Sequence, residues 1–149
     1  MNVRDYRDGD IIRHRSGDNL LDGMNEVLRN HSVHTKVIEM DGEVVAMFGL
    51  AMRWQGVADV WAVVTDGARG HGCQLTREAR KLVDRYAFEL GLWRMSALVH
   101  EGVPEYQRWI CLLGFEPEGR EHMGAPDGAD FIRYTRLWPW AAPLAHRLQ

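Results

Sequence analysis

Apolar positions recur with two different periods along the chain, and the changes of period mark its elements. In Asn2–Arg7, Val3 and Tyr6 are the packing positions of a first edge strand. Gly9–Gly17 is polar and reads as a short helix or turn, and Asp18 then offers a helix cap. Leu20, Leu21, Met24, Val27 and Leu28 recur at helical spacing, which predicts an amphipathic helix over 19–30. Lys36–Met40 and Glu43–Ala51 flank Asp41-Gly42, the strongest short-range hairpin signal, because a type I′ turn needs positive φ at both central positions. A second turn at Arg53-Trp54-Gln55-Gly56 leads into a fourth strand, Val57–Val64. Beyond Gly72, the residues Leu75, Ala79, Leu82, Val83, Tyr86 and Leu90 share one face of a long helix that ends at Gly91. Trp93–Val99 is a fifth strand. A further helix opens at Pro104 and closes at Gly114. Strands from Phe115 and over Asp130–Leu137, with a loop at Ala125–Gly128, complete the pattern.

This order gives an α/β (α+β) mixed sheet with helices on both faces, in which the crossover from the fourth strand to the fifth is parallel and right-handed. The tail Trp138-Pro139-Trp140-Ala141-Ala142-Pro143 cannot continue a strand or helix for long, so a domain over 1–138 is expected to carry a tail at 139–149. The two tail tryptophans are expected to pack on the body or on a partner. At 149 residues, one domain with a single substantial core is expected.

The net charge of -3 argues against a general nucleic-acid binder but leaves room for a local basic pocket. No apolar run is long enough to cross a bilayer, and the charged start MNVRDYRDGD is not a signal peptide, so no membrane contact and a cytoplasmic setting are expected. Two cysteines make no disulfide framework. Cys73 is expected to be a buried or half-buried small residue, and Cys111 a core residue. His31 and His34 are three apart, but no cluster completes a metal site around them, so solvated loop histidines and no metal are expected.

The stretch from Val60 to Arg85 carries the chemistry. A covered strand runs into Arg69-Gly70-His71-Gly72, where glycine lets the backbone turn tightly and approach a ligand, and then into a helix start whose unpartnered N–H groups favour an anion. With Arg69, Gly70, His71, Gly72, Cys73 and Gln74, this stretch resembles the signature of the GNAT superfamily of acyl-CoA N-acyltransferases: a strand, then Arg/Gln-x-x-Gly-x-Gly/Ala at a helix start. The arginine and central glycine are present, and Gln74 replaces the last small residue. Leu113-Gly114-Phe115 resembles the family's "helix, Gly-Phe, strand" ending, and the element order extends the resemblance from about Val3 to Leu137. In look, the chain is similar to acetyltransferase-like proteins of tailed phages with eroded motifs.

The resemblance implies a six- to seven-stranded sheet flanked by about four helices, with the fourth and fifth strands splayed. It implies acetyl-CoA as co-substrate. Main-chain groups of Ala62, Val63 and Val64 would meet the pantetheine arm, and Arg69 through Gln74 the pyrophosphate, with Arg77, Arg80 or Lys81 as added positive charge. Asp59 lies near the family's carboxylate base, and the alternative is a solvated strand-edge residue. His100 and Glu101 are the next candidates. Val103 and Ile110 fall where the family keeps an Asn and a thiolate-protonating Tyr. Tyr106, one turn earlier, is a substitute only if the helix is shifted, and otherwise packs. The implied function is transfer of an acetyl group to an amine of a small molecule or protein. The alternatives are a catalytically degenerate phage protein with a virion or host-interaction role, and an acyl-CoA binder without turnover. A homodimer through the last strand or tail, or a phage or host protein partner, completes the expectations.

Overall fold

The computed structural model describes residues 1–7, 34–68 and 70–143. The helix expected over 19–30, its Asp18 cap, the segment 9–17, His31 and Arg69 lie outside the described residues. Seven strands are described: β1 (Asn2–Asp5), β2 (His34–Met40), β3 (Glu43–Trp54), β4 (Val57–Val64), β5 (Arg94–His100), β6 (Glu116–Glu121) and β7 (Phe131–Leu137). Two α-helices accompany them among the described residues, α1 (Gly72–Glu89) and α2 (Pro104–Leu112). The strands form one mixed sheet in the order β1-β2-β3-β4-β5-β7-β6. The pair β4–β5 is parallel, whereas β1–β2, β2–β3, β5–β7 and β6–β7 are antiparallel. His34 opens β2 rather than sitting in a loop, because its backbone pairs with Leu50 of β3.

The chain divides into two compact units, and β3 and β4 run through both. The first contains Met1–Ala51 and Val60–Leu75. Its Asp41-Gly42 turn has the positive φ pair, 52° and 80°, that a type I′ hairpin demands. Its core packs Val37, Met47 and Val63 together, with Tyr6, Val44 and Trp61 against them. Gly49 is cut away for the Trp61 indole: a Cβ there would lie 2.1 Å from Cε2 of that ring.

The second unit contains Met52–Asp59 and Thr76–Gln149. Both helices end there in the same way. After α1, Gly91 has φ 61°, its N–H reaches the carbonyl of Phe88, and the N–H of Leu92 reaches the carbonyl of Ala87. After α2, Gly114 has φ 92°, its N–H reaches Cys111, and the N–H of Phe115 reaches Ile110. These are Schellman closures, and in each the residue after the glycine, Leu92 or Phe115, is buried. Arg136 of β7 ties the helices to the sheet: it donates to the carbonyl of Leu113 at 3.0 Å, pairs with Asp84 of α1 at 2.9 Å and stacks on Trp138 at 4.7 Å. Trp138 is therefore buried, but Trp140 is 70% exposed, so only one tail tryptophan packs on the body. Both cysteines are exposed, against the expectation for each: Cys73 lies in the first turn of α1, and Cys111 on the outer side of α2.

Candidate functional site

The segment Val60–Leu75 lies wholly in the first unit, so its geometry is fixed there. The end of β4 is anchored at Thr65, whose N–H and hydroxyl both donate to the carbonyl of Val45, at 2.9 and 3.1 Å. Asp66–Ala68 then make a 3-10 turn closed by the N–H of Ala68 on Thr65, and the N–H of His71 reaches Ala68 at 3.0 Å. Gly70 has φ 80°, a conformation that costs any residue with a Cβ. Space above Gly70 and Gly72 is open, since a Cβ at either would meet nothing within 4 Å. The N–H of Leu75 is taken by His71. Cys73 and Gln74 hold helix-start positions, where a helix leaves N–H groups without intrahelical partners. Gly70, His71, Gly72, Cys73 and Gln74 are all exposed, so the turn presents main chain outward.

Strand β4 departs from a buried central strand at one place. Val57, Ala58 and Val63 are buried, but Ala62 is exposed, although β4 has a neighbour on each side in the sheet. Among the described residues, the β4–β5 register covers Val57–Asp59 and Arg94–Ser96, three residues of an eight-residue strand.

The acid–base candidates belong to the second unit. Asp59 accepts both donors of the Arg53 fork, at 2.8 and 2.7 Å, and its side chain is 44% exposed. That bidentate bond raises the pKa of Arg53, so the cation is held firmly. Beside it, Arg94 grips Glu118 through two bonds, one of 2.8 Å; the Arg94 bond holds the Glu118 carboxyl below its ordinary range. A bulge between Pro117 and Gly119 supplies the extra residue that lets Glu118 reach Arg94 across β7.

His100, at the end of β5, is engaged at both ring nitrogens: Nε2 lies 2.8 Å from Asp127, and Nδ1 accepts the N–H of Gly102 at 2.9 Å. Glu101 accepts Arg120 at 2.8 Å and the N–H of Asp130 at 3.3 Å. Tyr106 is partly exposed on α2, whereas Ile110 is buried. Of the added cations, Arg80 donates to the carbonyl of Leu112 at 3.1 Å and Lys81 pairs with Glu78 at 3.2 Å, while Arg77 is exposed. Asp59 and His100 sit on β4 and β5, Tyr106 on α2, and none of the described hydrogen bonds joins any two of them.

Sequence reading missed the partners Arg53, Gly102, Asp127 and Asp130. Arg53 had a signal, since a short turn separates its strand from that of Asp59. The other partners are positioned by the loop after β6 and the bend after β5, and no spacing rule announces them. No group of three or more His, Cys, Asp or Glu that could hold a metal occurs among the described residues. No described helix is long and apolar enough to cross a membrane.

No family model matches the sequence, and no curated protein matches it. Solved structures do. A GNAT family acetyltransferase from Elizabethkingia anophelis with acetyl-CoA bound matches with TM-score 0.73 at 12% identity, over 92% of this chain and 97% of that one. IAA acetyltransferase from Bacillus cereus gives 0.70 at 13% identity, over 92% and 99%. A mutant spermidine N-acetyltransferase from Vibrio cholerae gives 0.70 at 16% identity, over 97% and 99%. The chain has the α/β fold of the GNAT acetyltransferases.

Proposed function

We propose that this protein is an acetyl-CoA-dependent N-acetyltransferase acting on an amine. The observation that carries the reading is the strand–turn–helix of Val60–Leu75: Gly70 at φ 80°, open space above Gly70 and Gly72, and a helix start presented outward. These features fit a diphosphate, which needs main-chain N–H donors approached without a Cβ in the way. The matching structure with acetyl-CoA bound supports the same co-substrate. Ala62, exposed inside a central strand, suits a strand end whose main chain serves a ligand.

Bound acetyl-CoA would supply an activated acyl carbonyl. The chain's own work is then to orient it and handle a proton. Main-chain groups of Ala62, Val63 and Val64 would hold the arm, and a main-chain N–H near Val64 would meet the carbonyl oxygen. As the amine nitrogen bonds to the acyl carbon, the carbon–sulfur bond breaks and the amine loses a proton. Asp59 is a poor receiver for that proton, since Arg53 engages both its oxygens. His100 is no better, since Gly102 and Asp127 engage its ring. We assign the proton to water. The thiolate leaves without a Tyr at position 110, which a thiol with pKa of about 8.5 allows.

Isothermal titration with acetyl-CoA tests the reading. Binding is expected in the wild type and a large loss in Arg69→Glu; no heat at millimolar ligand overturns it. The buried Ile110 in place of a tyrosine, together with the tied Asp59 and His100, favours one second reading: an acyl-CoA binder without turnover. That protein would bind coenzyme A yet release no free thiol with any amine. A phage structural or host-interaction role remains a third reading; it predicts that Arg69→Glu leaves partner binding intact.

A further inference from the structure

We infer that His100 is a pH-sensitive clamp that fastens the bend between β5 and α2 to the β6–β7 loop. Its two ring nitrogens have different partners. A main-chain N–H can only donate, so Nδ1, which receives Gly102 at 2.9 Å, must be the bare nitrogen. Nε2 therefore carries the proton and donates to the Asp127 carboxylate at 2.8 Å. One ring thus holds two segments that are 25 positions apart in the chain, and the neutral Nε2–H tautomer is the ring form that makes both bonds at once.

Each anchored segment is itself built on the clamp. The bend continues with the N–H of Val103 on the carbonyl of His100 at 3.2 Å, and Gln107 donates to the carbonyl of Glu101 at 2.9 Å, so the first turn of α2 hangs from this point. In the loop, the other oxygen of Asp127 receives the N–H of Ala129 at 3.0 Å. The N–H of Ala129 and then His100 hold the Asp127 carboxyl below its ordinary range, so it stays ionised throughout the range in which histidines change charge. The other groups around the ring do not compete for it. Phe131 of β7 meets it edge-on at 6.4 Å, Glu101 is taken by Arg120 and the N–H of Asp130, and Asp130 is taken by Arg120, His122 and the N–H of Met123. Packing is also close: a Cβ on Gly102 would stand 3.1 Å from the imidazole.

Protonation of Nδ1 places a second N–H against that of Gly102. The Gly102 bond is then lost, while the Asp127 pair becomes a charged one. Acid therefore frees the Gly102 N–H within the bend and keeps the loop. The clamp does not depend on the acyl-transfer reading.

The test is nitrogen NMR on the full chain with labelled histidine and backbone. At neutral pH, His100 Nδ1 is expected at the unprotonated, pyridine-like position. The Gly102 amide is expected to titrate together with His100 and to lose about tenfold of its exchange protection on protonation, the scale of one hydrogen bond. In His100→Asn, the amide oxygen replaces Nδ1, and the Gly102 amide is expected to become insensitive to pH. Asp127→Asn is expected to leave the Gly102 titration in place, which provides a second variant should the first fail to fold. A protonated Nδ1 at neutral pH, or a Gly102 amide that does not respond as His100 titrates, overturns the clamp.

Discussion

Gly49 has no side chain because the Trp61 indole occupies the space above it, and the cost of filling that space can be predicted. Gly49→Ala puts a Cβ 2.1 Å from the ring in a packed core, so the indole or the strand must move. A loss of about 1–3 kcal/mol is expected in urea unfolding. Gly119→Ala, in open space on an edge strand, should change stability by less than about 0.5 kcal/mol. A similar contrast separates the carboxylates. The Met123 N–H, then Arg120 and His122, hold Asp130 below its ordinary value of 3.8. A lowered folded-state pKa stabilises above the unfolded value, and that contribution is lost as pH falls through the folded one. Thermal midpoints of Asp130→Asn should therefore fall less steeply than wild type below pH 3.8, and a parallel fall would remove Asp130 from the account. Asp59 belongs at this scale too. If water takes the amine's proton, Asp59→Asn should keep kcat within about tenfold; a drop of about a hundredfold or more would restore the base role.

At the scale of elements, the terminations are better determined than the interiors. Both helices stop at glycines in Schellman closures, and Pro104 sets the start of α2. The edge strand β6, Glu-Pro-Glu-Gly-Arg-Glu, is exposed at every position. Its proline, bulge and charges are what keep an edge from recruiting another strand. The joint between helices and sheet is the most vulnerable point, because Arg136 is a partly buried cation with three different partners. Arg136→Leu is expected to cost about 1.5–3 kcal/mol, the range for hydrogen bonds to charged groups. Lys81→Ala, which removes an exposed i,i+3 pair, should cost about 0.5 kcal/mol or less. Equal losses in the two variants would show that Arg136 is only a surface charge.

For the whole molecule, the proposed ligand should act as a stabiliser. A ligand that binds only the folded chain adds about 2.7 kcal/mol at a hundred times its Kd, which is about 5–10 °C in Tm for a chain of this size. Acetyl-CoA should raise Tm on that scale, and Gly70→Val should abolish the rise, because a β-branched residue at φ 80° strains the turn and fills the space above it. A Tm unmoved by saturating acetyl-CoA would contradict the proposed function.

The amino-acid sequence by itself determined what depends on neighbours in the chain. The type I′ hairpin at Asp41-Gly42, the strand Val57–Val64, the glycine turn and the helix ends at Gly91 and Gly114 all follow from local backbone preference and hydrophobic period. They appear where those rules put them. Only the tertiary structure decided what depends on distant partners: that Arg53 occupies Asp59, that Asp127 and Gly102 occupy His100, that both cysteines are exposed, and that Trp138 packs while Trp140 does not. The physical reason is that periodicity encodes which face of an element is buried, whereas the protonation and availability of a side chain are set by whichever group the fold brings within hydrogen-bond reach.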